Sequence, residues 1–287
     1  MIVMKSDIKI PEGYEFIDRG DVRMVVCTKY RSCLLEQGID QPETLLQQAA
    51  TDGRTGRGAI GSVPIHGKPG ERMIIRQYLR GGIIRVFNRA YYMNDRRPFH
   101  ELAVCAHAAS VGLPTASVLA AVSVRSPNGM WKGYLFVKEL AGCCDLPTYM
   151  FRLWQHDPHH FLVAKRRILD RVASLVRHMH EQGLAHGDLN MKNILINTNN
   201  PEQVYIIDWD KSRVLQRSTA AARRANVLRL CRSMVKLGKL GYPFDQHDAV
   251  YFLQISAPSP QRFRRDVLRL RFSIRLRNIF WKHAPRC

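Results

Sequence analysis

The sequence predicts an α+β protein, β-rich over its first half and helical over its second, with the change near Leu140. Three patterns carry this expectation. Short apolar runs bounded by turn residues mark strands at 73–76, around Trp131 and Tyr134, and at 135–140. Ile168, Val172, Leu175, Val176 and Met179 recur at helical spacing and mark a core helix. Two more apolar runs, at 194–196 and 204–207, adjoin polar residues that could serve a site. Two lobes are expected, 1–140 and 141–287.

With 46% hydrophobic and 9% aromatic residues, the 287-residue chain can bury a sizeable core, which excludes disorder, collagen-like repetition and a small disulfide scaffold. Seven cysteines without a C-x-x-C pair point to a reduced, cytoplasmic compartment. The N-terminal apolar run breaks at Lys5 and Asp7, short of a signal-peptide core. The apolar window 102–124 is interrupted by His107, Ser110 and Pro114, so no membrane span is expected.

Charge is uneven. The chain carries 44 Lys and Arg against 24 Asp and Glu, a net +20. From Lys211 onward 18 basic residues face three acids, so +15 lies in the last 77 residues. Such a tail implies an anionic partner: nucleic acid, a phosphate-bearing substrate or an anionic membrane face. The arginines follow no RNA or DNA motif, so no nucleic acid is expected. Phe263, Val267, Leu270 and Ile274 form a helical stripe flanked by Arg264, Arg265, Arg269, Arg271 and Arg275, with Phe280 and Trp281 following. A cationic amphipathic helix of this kind suits a headgroup interface, although packing on its own domain explains it equally well. Residues 268–277 also alternate apolar and polar, which is a strand signal. The sequence leaves the oligomeric state open.

Residues 56–63 read Gly-Arg-Gly-Ala-Ile-Gly-Ser-Val, the pattern G-x-G-x-x-G-x-V. Glycines at 56, 58 and 61 let backbone approach phosphate oxygens where a Cβ would intervene. Taken alone, a glycine-rich turn is the commoner explanation. No helical pattern follows; 64–70 reads as a turn and 73–76 as a strand. The loop therefore lies between strands, as a lid over a nucleotide.

The chemistry concentrates downstream. His186-Gly187-Asp188 is followed by Asn193 and an apolar strand, and a second strand ends in Asp208-Trp209-Asp210. Phosphoryl transfer needs a base that orients the attacking hydroxyl and hard oxygen ligands for Mg²⁺ on the phosphates. Asp188 suits the first role; Asn193 with Asp208 suits the second. A turn Asp or Asn at a strand end explains any one of them, but not the ordered set.

These motifs together resemble the protein-kinase-like fold, bilobal with a β-rich N-lobe and a helical C-lobe. More closely, Gly56-Arg57-Gly58, the Arg76-Gln77-Tyr78-Leu79-Arg80-Gly81-Gly82 run and Asp208-Trp209-Asp210-Lys211 resemble the lipopolysaccharide kinase family, particularly its 3-deoxy-D-manno-octulosonic acid (Kdo) kinases. The resemblance covers about residues 50–240. It implies that Gly56, Gly58 and Gly61 cover the ATP phosphates, and that Arg76 takes the place of the strand lysine. Glu101, on the amphipathic segment 99–109, would pair with Arg76. His186 would brace the catalytic loop, Asp188 would accept the proton of a sugar hydroxyl, and Asn193 and Asp208 would hold Mg²⁺. Backbone near Glu139 and Leu140, at an interlobe hinge, would meet adenine.

Departures from protein kinases are specific. Arg76 replaces lysine, Gly187 replaces the arginine that reads a phosphorylated activation loop, and Trp209-Asp210 replaces Phe-Gly. About seventeen residues separate Asp208 from a helical stretch at 226–230, leaving little room for a peptide platform. The implied acceptor is a glycolipid of the Kdo–lipid A type at the cytoplasmic side of a bacterial inner membrane. Some of Arg213, Arg217, Arg223, Arg224, Arg229 and Arg232 would hold its anions, Arg223 and Arg224 being the pair singled out for substitution. A heptose kinase of the same pathway and a small atypical protein kinase are the alternatives, and an aminoglycoside-type phosphotransferase is disfavoured by the basic C-lobe. The histidines 156, 159 and 160 read as a polar interhelix turn.

Overall fold

The computed structural model describes residues 3–5, 8–49, 60–79, 90–256 and 260–281. Gly56 and Gly58, and Arg80-Gly81-Gly82, lie outside the described residues. The chain divides into two compact units, Met1–Ala141 and Gly142–Cys287.

The first unit is built on a six-stranded antiparallel sheet. Its strands are β3 (Tyr14–Asp18), β4 (Val22–Cys27), β5 (Ile60–Pro64), β6 (Arg72–Gln77), β7 (Val118–Arg125) and β8 (Trp131–Lys138), in the order β3-β4-β7-β8-β6-β5. A small hairpin, β1 (Val3–Lys5) with β2 (Ile8–Ile10), precedes it. Pro127-Asn128-Gly129 turns β7 into β8, with Gly129 at φ +80°. Residues 64–70 likewise connect β5 to β6.

Both faces of this sheet are covered, so its central strands are apolar on both sides. On one face Met24, Val63, Met73, Ile75, Val122 and Phe136 pack with Leu34, Ile39 and Leu45 from α1 (Arg31–Glu36), its following loop and α2 (Pro42–Gln48). On the other lies α3 (Arg96–Ser110), against β7 and β8. The helix approaches closely because position 133 has no side chain: a Cβ there would stand 2.6 Å from Cγ of Pro98. The two-residue period of β6 turns Met73 and Ile75 into one core and sends Ile74 and Arg76 to the opposite face, that of α3.

The second unit is mainly helical. It begins with β9 (Cys143–Asp145), then α4 (Leu146–His156) and α5 (Phe161–Glu181), which carries the predicted core stripe. Next come β10 (Leu184–Ala185), β11 (Ile194–Asn197), β12 (Val204–Ile206) and β13 (Arg213–Val214). Three helices close it: α6 (Ala220–Lys239), α7 (Gln246–Ser256) and α8 (Pro260–Trp281). The strands form two small antiparallel ladders, β12-β11-β9 and β10-β13. Buried Lys165 on α5 is neutralised by buried Asp248 on α7 at 2.9 Å, and Asp248 also accepts from the Asp245 N–H. Truncating Asp248 would strand a buried cation, so the pair ties α5 to α7.

One expectation is corrected here and one open alternative is resolved. The helix expected near Asn226 starts at Ala220, capped by the Thr219 hydroxyl on the Ala222 N–H, so only residues 209–219 link Asp208 to it. The tail is a helix, α8, and not a strand, because its apolar stripe has helices to bury against. Leu270 is buried, Phe263 and Val267 are half-buried, and α8 packs on α6 and α7. Phe263, Val267 and Leu270 of that stripe thus turn toward the helices of their own unit.

Candidate active site

The loop 186–193 of the second unit is positioned by β10, β11 and β12. Ile194 pairs with Ile206, so the loop before β11 and the segment after β12 emerge side by side. The Ile207 N–H donates to the Asn193 carbonyl at 3.0 Å, which sets Asp208 next to the loop. Asp208 has φ +66° and Lys211 φ +60°, the only non-glycine residues among those described in the left-handed region. Strain of about 1–3 kcal/mol is retained there only where the surroundings impose it, and such positions cluster at functional sites.

His186 sits at the centre. Its ring is buried, lies 5.0 Å from the buried Trp209 ring, and joins the two segments. The Asp188 N–H donates to His186 Nδ1 at 3.0 Å, so Nε2 carries the proton and donates to the Ile207 carbonyl at 3.0 Å. Burial holds the imidazole below its usual range, favouring this neutral form. The ring thus ties the backbone at 188 to the backbone at 207.

Asp188 itself is exposed at 64% of its side chain. Its Oδ1 accepts from Arg229 Nη1 at 2.9 Å, while Asn190 stands 3.5 Å from Oδ2, too far for a strong bond. Oδ2 is therefore the oxygen left for a further partner. Asn193 donates its Nδ2 to the Asp188 carbonyl at 2.9 Å, which fixes the amide and leaves Oδ1 for another partner. The Asn193 amide oxygen and the Asp208 carboxylate are hard donors of the kind Mg²⁺ takes. Among the described residues, no three His, Cys, Asp or Glu gather as a metal cluster.

Gly187 is glycine for lack of room. A Cβ there would stand 2.5 Å from the Asp210 carbonyl oxygen and 2.8 Å from that of Lys211, and the Gly187 N–H donates to the Ser212 hydroxyl at 2.9 Å.

One participant was not singled out from the sequence. Asn226 on α6 is buried; its Oδ1 accepts from the His186 N–H at 3.2 Å and from His180 Nε2 at 3.1 Å, and its Nδ2 donates to the His186 carbonyl at 2.7 Å. Asn226 thus anchors the loop backbone to α6. A lone asparagine in a stretch otherwise read as helical was the available signal.

Arg229, one helical turn further on, also donates to the Gly187 carbonyl. Arg223 and Arg224, the pair expected to hold acceptor anions, line a cavity of about 390 Å³ with Arg177, Glu181, Leu253 and Asp266. Of the six arginines considered, Arg229 is bonded directly to Gly187 and Asp188.

In the first unit, Arg76 and Glu101 are joined: Nη2 of Arg76 lies 2.6 Å from both carboxylate oxygens, and the Tyr78 hydroxyl donates to the same buried carboxylate. Gly61 stands within β5, where a Cβ would meet that of Ala49 at 2.2 Å, so packing alone requires glycine there. The Glu139 side chain accepts from the Ser62 hydroxyl at 2.8 Å and its N–H donates to the Arg72 carbonyl at 2.9 Å. The histidines at 156–160 form a turn in which His160 bonds to Asp157. The six described cysteines are free; burial raises the thiols of Cys105, Cys143, Cys144 and Cys231, which makes them poor nucleophiles.

The sequence model of the "Lipopolysaccharide kinase (Kdo/WaaP) family" matches residues 46–255, more than half of the chain. The chain belongs to this family. Among curated relatives, the 3-deoxy-D-manno-octulosonic acid kinase of Xylella fastidiosa (strain M12) is 29% identical over 168 residues, 57% of this chain and 62% of that protein. The enzyme of the same name from Stenotrophomonas maltophilia (strain K279a) is 28% identical over 207 residues, 70% of this chain and 76% of that one. The match thus spans about three fifths of the Xylella relatives' length. A solved structure titled "WaaP in complex with acyl carrier protein" superposes with a TM-score of 0.55 over 86% of this chain and 99% of that one at 17% identity. This likeness shows the fold: Kdo/WaaP members share the α+β, kinase-like architecture described above.

A pH dependence follows from the buried imidazoles of this family member. Burial lowers both His180 and His186 in the folded state, so the unfolded chain binds more protons once pH falls below about 6.5. Stability is full above that value and declines as pH drops through the lowered folded-state values. The urea midpoint is expected to fall between pH 7.5 and 5.5, and His180→Gln, which keeps a donor toward Asn226, to remove part of that fall. An unchanged slope in the variant would show that His180 is not responsible.

Proposed function

We propose that this chain is an ATP-dependent kinase that phosphorylates a sugar hydroxyl in the lipopolysaccharide core, the acceptor being Kdo on a lipid A precursor. The observation that carries the reading is the bonded set His186, Asp188, Asn193 and the Ile207–Asp208 segment in a chain of the Kdo/WaaP family. Kdo is preferred over heptose because the curated relatives above are named for it.

In this reading Asp188 Oδ2 accepts the hydroxyl proton and orients the attacking oxygen, with Oδ1 held by Arg229. His186 keeps the loop in register by holding the Asp188 N–H and the Ile207 carbonyl together. Arg76, kept in place by Glu101, meets ATP phosphate as a planar fork. Gly56 and Gly58 would lie over the phosphates and the backbone at Glu139 beside adenine. Asn193 and Asp208 would hold Mg²⁺, which supplies charge neutralisation on the phosphates. Catalysis is then positioning and electrostatics rather than covalent chemistry.

The basic tail has a proposed place as well. No described helix is long and apolar enough to cross a membrane. On α8, Leu268 and Phe272 are each 64% exposed, among the exposed Arg264, Arg265, Arg269 and Arg271. This outer face, not the buried stripe, is proposed to rest on the anionic cytoplasmic leaflet of the inner membrane. Each basic residue near such a surface contributes about 1 kcal/mol.

The test offers purified protein and labelled ATP to Kdo–lipid A and to heptosylated core. Label on the Kdo acceptor is expected. Label on the heptosylated core alone would replace the substrate assignment, and label on neither would overturn the kinase reading.

A further inference from the structure

Arg229 makes an unusual use of its guanidinium. Nη1 is spent on the catalytic loop, donating to Asp188 Oδ1 at 2.9 Å and to the Gly187 carbonyl. Nε and Nη2 have no hydrogen-bond partner among the described residues, and the side chain is 41% exposed. A guanidinium offers five donors in a fixed plane, and an edge with two parallel N–H groups matches a carboxylate or phosphate. Loop bracing alone would need only the first edge.

The position of the second edge is set by the first. Because Nη1 is tied to Oδ1 of Asp188, an oxyanion taken by Nη2 and Nε would sit beside the carboxylate that receives the acceptor hydroxyl. Exposed Lys192, on the loop itself, adds positive potential nearby. Arg223 and Arg224 have no such relation to Asp188, since they line the cavity beside α5 and α7.

We propose that Arg229 selects acidic acceptors: its outward edge binds a carboxylate or phosphate next to the reacting hydroxyl, while its inward edge positions Asp188. This rests on the kinase reading above and adds to it the residue that discriminates acceptors by charge. A neutral sugar would leave the outward edge to water and gain nothing from it.

Three acceptors test the proposal: Kdo-bearing lipid A precursor, the same molecule with its Kdo carboxyl reduced to the alcohol, and the dephosphorylated molecule. Equilibrium binding in detergent without nucleotide is measured for each, along with KM and kcat, on the parent protein, Arg229→Gln and Arg229→Lys. The parent is expected to bind the intact acceptor about 10- to 100-fold better than one of the two neutralised forms, as for a hydrogen-bonded charge pair. Which form loses affinity identifies carboxylate or phosphate as the group read. Arg229→Gln is expected to abolish that preference, and Arg229→Lys to restore part of it. Because Asp188 also loses its strut, kcat falls for every acceptor; the ratio between acceptors is the readout. An Arg229→Gln protein that retains the parental preference would overturn the proposal and leave the kinase reading intact. Binding that discriminates without any phosphoryl transfer would instead sustain the proposal's anion site and remove the kinase reading.

Discussion

Asp188→Asn is expected to lower the rate of phosphoryl transfer by about 10²- to 10⁴-fold, the usual contribution of a positioned general base. The substitution is nearly isosteric, and the side chain is 64% exposed, so the fold loses little. The neutral amide still accepts from Arg229 at Oδ1, but the second atom becomes a donor and can no longer take a proton from the acceptor hydroxyl. Nucleotide affinity should stay within a few-fold of the parent. The measurement is single-turnover transfer from labelled ATP together with nucleotide binding. Transfer within threefold of the parent would mean that Asp188 is not the base. Lost nucleotide binding would mean instead that the carboxylate belongs to the metal site.

Asn226→Leu is expected to cost about 3–5 kcal/mol of stability, because it orphans the His186 N–H, the His186 carbonyl and His180 Nε2 in a buried setting. Activity should fall with it even where the protein remains folded, since the loop carrying Asp188 loses its anchor on α6. Asn226→Asp keeps an acceptor for both donors and, protonated in this buried setting, can donate to the His186 carbonyl in place of the amide, so its stability loss should be smaller than that of Asn226→Leu. Urea denaturation of the two variants checks this. Equal losses would show that packing volume, and not hydrogen bonding, is what position 226 provides.

Local pattern made much of this molecule legible. Strands β6 and β8, the turn at Gly129, the α5 stripe and the His186–Asp208 segment all follow from short-range periodicity or spacing, which the chain carries within ten to thirty residues. Arg76 and Glu101 were matched through a family resemblance, and they meet because β6 and α3 share a sheet face. What stayed hidden was long-range. The partners of β3 and β4 at the sheet edge depend on register with β7, which no local pattern encodes. Asn226 looks like an ordinary polar helix residue until α6 is packed beneath the loop. The six arginines after Asp208 were indistinguishable by type, and only the rotation of α6 separates Arg229 from Arg223 and Arg224. The alternation in 268–277 mimics a strand, and the decisive fact, that α6 and α7 offer a surface for Leu270, is tertiary.

The bare backbone at Gly187 also bears on how the proposed enzyme could be governed. With two carbonyl oxygens crowding that spot, no cationic side chain can be installed there to grip a phosphate placed on residues 209–219. A switch that depends on a cation at position 187 to grip a modified loop therefore has no place in this fold.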